Sequence, residues 1–114
     1  MKENVVKVKS FALRVVKLAK HLQTEKKEFV LSKQVLRSGT AIGALVREAE
    51  HAEIKPDFSH KMNIALKEAN ETLYWLELLH EAEYITDKSF ESIQSDSEEL
   101  LKILMSIVKT SKAR

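Results

Sequence analysis

The chain's 114 residues suit one domain spanning 1–114, and two glycines with one proline supply too few turns for a sheet protein, so long helices are expected. Without cysteine there are no disulfides, thiolate zinc sites or cysteine nucleophiles, which fits the cytoplasm. The net charge of +2 conceals a segregation: the formal charge is +7 over Met1–Arg37, −9 over Ser38–Glu99 and +4 over Leu100–Arg114, a pattern suited to an anionic partner or to charge-complementary subunits.

The first predicted helix carries Val5, Val8, Ala12, Val15, Ala19 and Leu22 at alternating steps of three and four, the spacing that keeps side chains on one helical face. Lys7, Lys9 and Arg14 interrupt any signal-like apolar segment. The polar Thr24–Glu28 stretch separates this helix from a second seam of Leu31, Val35, Ser38, Ile42, Leu45, Ala49 and Ala52. The longest charge-free run, Ser38 to Val46, lies in that second helix and is far shorter than the roughly 20 apolar residues of a membrane span, so no membrane partner is expected. Ile54-Lys55-Pro56-Asp57 forms the next break, because proline disfavours helix for the residue before it yet suits a helix's first turn.

The third seam runs Met62, Ala65, Ala69, Thr72, Leu76, Leu79, and the fourth Phe90, Ile93, Ser97, Leu100, Leu104, Ile107, with Thr86 as the cap that opens it. Four seams of similar length joined by short connections predict an all-α fold, an antiparallel up-down-up-down four-helix bundle. Helices one and three carry apolar residues beyond these seams. Val6 and Leu13 lie nearly behind the first, and Ile64, Trp75 and Leu78 lie about 100° round from the third, which makes the five candidates for a homo-oligomer interface.

Ser38-Gly39-Thr40-Ala41-Ile42-Gly43-Ala44 is unusually small for a helix interior, and glycines four apart allow another backbone to approach closely. A phosphate loop is excluded because no Gly-Lys-Ser/Thr follows and no strand precedes it. The pairs Glu48/His51 and Glu77/His80 resemble half-sites of a di-iron bundle, but about 13 to 16 residues of helix, some 20 Å, would separate them. Neither a serine triad nor paired catalytic carboxylates stand out, so no enzyme and no cofactor are expected. Helix one by contrast presents Lys2, Lys7, Lys9, Arg14, Lys17 and Lys20, and in the bundle its start should approach Lys109, Lys112 and Arg114, forming a basic surface for phosphates.

The run Gln34-Val35-Leu36-Arg37-Ser38-Gly39-Thr40-Ala41-Ile42-Gly43-Ala44, followed by Arg47-Glu48-Ala49-Glu50, resembles the signature of the 23S rRNA intervening-sequence proteins, also called four-helix bundle proteins. Asp57-Phe58 and the spacing Ala65-x-x-Glu68-x-x-Glu71-Thr72-x-x-Trp75-Leu76 are similar to the same family. Ala41 stands where members often have Ser, and Leu45 where many have Asn. The resemblance implies a bacterial, cytoplasmic, non-catalytic bundle assembled as a pentamer. A related branch, the accessory variability proteins of diversity-generating retroelements, implies RNA or DNA binding. The alternative is a scaffold whose basic segments meet an acidic protein partner or a neighbouring subunit, with no role for nucleic acid.

Overall fold

A computed structural model describes residues 2–113 as α1 (Lys2–Thr24), α2 (Leu31–Glu50), α3 (Lys55–Glu81) and α4 (Asp87–Ala113). The helices run up, down, up and down in a rod of 45 × 21 × 20 Å, close to the about 40 Å that a 27-residue helix spans at 1.5 Å per residue. Each helix packs against its chain neighbours, and α1 and α4 close the ring only sparingly.

Local chemistry fixes the ends. Pro56 sits in the first turn of α3, where its missing N–H would have had no helical acceptor. Lys55 nonetheless lies inside α3 and not in the break, because the extended backbone that precedes the helix belongs to Ile54. At the start of α4 the Ser89 amide donates to Thr86 Oγ1 at 3.1 Å, the cap expected from the sequence.

The end of α3 is less conventional. Glu83 takes a left-handed conformation, φ 66°, while the Tyr84 amide donates to the Leu79 carbonyl and the Glu83 amide to that of His80. That pair of bonds is the Schellman closure, which normally recruits glycine because a Cβ is strained there. Replacing Glu83 with glycine is expected to raise stability by about 1 kcal/mol, read as a higher urea midpoint at unchanged slope.

The core follows the seams with a systematic rotation. All six residues of the α3 seam are buried. In α2, Ser32 and Val46 are buried while Leu31 and Leu45 are only half-buried, and Ala52 lies beyond the helix. Phe11 is buried in α1 whereas Val5 and Ala12 are half-buried, and Val108 displaces Ile107 in α4. The cause is the direction of each helix's neighbours, which turns the buried stripe a little to one side of the seam in α1, α2 and α4 but not in α3.

The α1–α2 contact explains the glycines. A Cβ added at Gly39 would meet the Val15 side chain at 2.7 Å, and one at Gly43 would meet Val8 at 3.3 Å. Both glycines face α1, and their missing side chains set the distance at which it packs.

Candidate partner-binding and assembly surfaces

The signature residues form an internal lattice between α2 and α3. Arg37 donates to Glu68 Oε2 at 3.0 Å and also pairs with Glu71, which in turn accepts the Trp75 indole N–H at 3.0 Å. One turn inward, Ser38 donates to the Gln34 carbonyl at 3.1 Å and accepts from the Thr72 hydroxyl at 2.9 Å, so the buried polar pair is satisfied. Further along, Lys61 donates to Glu48 at 2.9 Å, and the neighbouring carboxylate holds the ammonium above its ordinary range.

These contacts assign structural roles to residues that had invited chemical ones. Glu48 is paired with Lys61, and His80 stacks on Phe90 with ring centroids 4.1 Å apart while its Nε2 lies 2.7 Å from Asp87. No three His, Asp or Glu side chains among the described residues converge as a metal ligand set. Neither a nucleophile with a base nor a pair of catalytic carboxylates forms there.

The basic candidates divide into two groups. Along the α4 side of α1, Lys7 donates to Glu99 at 2.7 Å, and Arg14 reaches Asp96 at 2.5 Å and Ser92 Oγ at 3.0 Å. Hydrogen bonding to Glu99, and then its charge, holds the Lys7 ammonium above its ordinary range. Lys9, Lys17 and Lys20 are exposed and form no ion pair among the described residues, and the only carboxylate on this helix is Glu3. Lys109 and Lys112 are exposed on α4. The side chain of Lys2 and the whole of Arg114 lie outside the described residues.

Topology brings the start of α1 and the end of α4 to one pole, as expected, but the α2–α3 turn shares it. Glu50, Glu53 and Asp57 therefore stand among the lysines of that end. The more uniform cationic surface is the length of α1 and not the pole. Sequence order hides this, because which acids come near which lysines is settled only by folding.

The assembly candidates also divide. Val6 and Leu13 are 61% and 54% exposed, and Val16 joins them on the outward side of α1. Ile64, Trp75 and Leu78 are half-buried, and Trp75 packs against the core as well as bonding Glu71, so part of its surface is already covered within the subunit. Tyr74 and Met105 are exposed apolar side chains that the periodicity did not single out.

The 23S rRNA-intervening sequence protein family matches residues 3–106. The chain belongs to that family. A crystallised protein of unknown function from the S23 ribosomal protein family of Bacteroides thetaiotaomicron is 58% identical, with a TM-score of 0.93 over 95% of this chain and 96% of that one. No curated protein matches. Among the described residues no helix is long and apolar enough to cross a membrane. In this member of the family the signature is accounted for by packing: Gly39 and Gly43 admit α1, while Arg37, Ser38, Glu68, Glu71, Thr72 and Trp75 bind α2 to α3.

Proposed function

We propose that the protein is a non-catalytic homo-oligomeric subunit, a pentamer by family resemblance, that associates with RNA or DNA through α1. The observation that carries this reading is a helix whose exposed face holds Lys9, Lys17 and Lys20, none of which forms an ion pair among the described residues. Such a face attracts phosphates through charge and releases condensed counterions on binding. On α3 the partly exposed Ile64 and Leu78, with exposed Tyr74, leave an apolar face away from those lysines that favours assembly, since apolar side chains of this size mark contact surfaces when they cluster.

Reversing three charges in K9E/K17E/K20E is expected to weaken binding of a 20-nucleotide RNA or DNA by about tenfold or more and to flatten the dependence of log K on log salt by about 2 to 3. Fluorescence polarisation across a salt series measures both. Wild-type binding that is absent, or indifferent to the reversal, would sink the nucleic-acid reading. Light scattering tests assembly separately, and a monomer removes the ring.

A scaffold without nucleic acid is the second reading, favoured by the interleaving of Val6, Leu13 and Val16 with those lysines. An apolar and basic helix face also fits an acidic protein surface.

A further inference from the structure

We propose that the seam between α1 and α4 is a track for a phosphodiester backbone, and that Asp96 and Glu99 of α4 mask it by occupying the two cations that phosphates would take. This rests on the nucleic-acid reading above and adds its location and its control. Of the four adjacent helix pairs, α1 and α4 make the least contact, so an open depression of about 150 Å³ runs between them, lined by Val6, Phe11, Leu100 and Ile103. Lys7 and Glu99 line its edges, and farther along the same seam Arg14, Lys17 and His21 border a second depression. Lys7, Arg14 and His21 recur every seven residues, about 10 Å apart at 1.5 Å per residue, on the side of α1 that meets α4.

Across the seam the acids are unevenly placed. Asp96 and Glu99 meet Arg14 and Lys7, whereas the depression beside Lys17 is lined on the α4 side by Ser89 and Ile93. Both ion pairs are exposed, at 54% and 56% for Lys7 and Glu99 and at 38% and 50% for Arg14 and Asp96, so solvent screens them and their net hold is weak. Their geometry nevertheless shows that carboxylate oxygens reach hydrogen-bond distance of both cations, and a phosphate oxygen makes the same contacts with a forked guanidinium and an ammonium. A polyanion arriving on the unmasked Lys17 is thereby led along the seam, displacing first Asp96 from Arg14 and then Glu99 from Lys7.

The test uses the full chain with both carboxylates made neutral and isosteric, D96N/E99Q, titrated with a 20-nucleotide RNA and with DNA of the same sequence. Both probes carry the phosphodiester backbone, so RNA-only or DNA-only tightening also supports the track and identifies which backbone it accepts. The expected result is binding about 5- to 10-fold tighter at low salt, with the salt dependence steepened by about 0.9 for each cation released. Removing the cations in the same background, K7Q/R14Q/D96N/E99Q, should erase the gain. Neutralising two carboxylates on α3, E77Q/E81Q, controls for net charge, and circular dichroism checks that each variant stays helical.

Unchanged affinity in D96N/E99Q, an equal gain in E77Q/E81Q, or a gain that survives loss of Lys7 and Arg14 would overturn the proposal. If wild type binds through Lys9, Lys17 and Lys20 while D96N/E99Q binds no tighter, only this inference fails. If no variant binds either probe, the nucleic-acid reading fails with it.

Discussion

Replacing Gly39 with leucine is expected to destabilise the protein by about 3 kcal/mol and to release α1 ahead of the other helices. Even a single Cβ at this position would come within 2.7 and 2.9 Å of the two Val15 methyl groups. Valine has little freedom to rotate them away, because its branched Cβ is held near one rotamer in a helix. Alanine there gains about 1 kcal/mol of helix propensity but incurs overpacking of about 1–3 kcal/mol, for a net loss near 1 kcal/mol. Leucine adds three more carbons to the same gap. Nothing compensates at the other edge, since α1 meets α4 only sparingly and through exposed ion pairs. Gly43, whose added Cβ would sit 3.3 Å from Val8, serves as the contrast: Gly43→Ala is expected to be neutral or slightly stabilising. Urea melts of the three variants, with amide exchange along α1, should rank Gly39→Leu as the least stable, then Gly39→Ala, then Gly43→Ala. A Val15→Ala background should relieve Gly39→Ala, giving a coupling of about 1 kcal/mol in a double-mutant cycle.

How far the sequence discloses this arrangement depends on whether the determining contact is local. The α3 seam from Met62 to Leu79 is readable because one uninterrupted period places every member on the buried face. The neighbouring helices shift by one position because periodicity gives a stripe and not the direction of its neighbours. Phe11 is buried because α1's stripe is turned toward α4, a fact about packing that no spacing within α1 contains. The Thr86 cap and the Pro56 start are readable since their partners lie within three or four residues. Lys7 and Glu99 are separated by 92 positions, and their pairing appears only when the bundle closes.

The family signature shows the same limit from the other side. Its small residues and its acids are conspicuous in the sequence, and conspicuous residues invite a functional reading. Gly39 and Gly43 prove to be spacing devices, while Arg37, Glu68, Glu71 and Trp75 form one hydrogen-bonded chain across the α2–α3 seam. Residues available to a partner are the less distinctive lysines and aliphatics of α1. The proposed function, built on charge and exposed apolar area, needs no rare motif, and the sequence accordingly identifies the scaffold more sharply than the surface.

Glu28 is the residue whose importance the sequence concealed most, and its removal should be nearly as costly as the change at Gly39. It lies in the polar stretch between α1 and α2, yet it is only 8% exposed. Its carboxylate accepts the amides of Val30 at 3.2 Å, Leu31 at 3.0 Å and Ser32 at 2.7 Å, which are donors at the start of α2 with no carbonyl of their own helix to reach. Ser32 completes the turn by donating its hydroxyl to the Glu28 carbonyl at 2.9 Å. An acid four residues before a serine at a helix start was the available signal. Burial pushes the Glu28 carboxyl up, but the amides of Leu31, Ser32 and Val30 outweigh it and hold the group below its ordinary value of 4.5. Glu28→Ala is therefore expected to cost about 2 kcal/mol at pH 7, the upper range for a lost cap and typical of hydrogen bonds to a charged group. Because the folded value is depressed, the unfolded chain binds the proton first on acidification. The stabilisation from Glu28 is thus complete above that ordinary value, which the unfolded chain retains, and fades as pH falls through the folded one. The stability gap between wild type and Glu28→Ala should consequently be constant from about pH 6 to 8 and narrow below about pH 4. Glu28→Gln, which keeps an acceptor but not the charge, should lose roughly half as much and remove the acid-side narrowing. Denaturant melts of the three proteins across that range decide it, and a gap independent of pH would show that the carboxylate's charge does not cap α2.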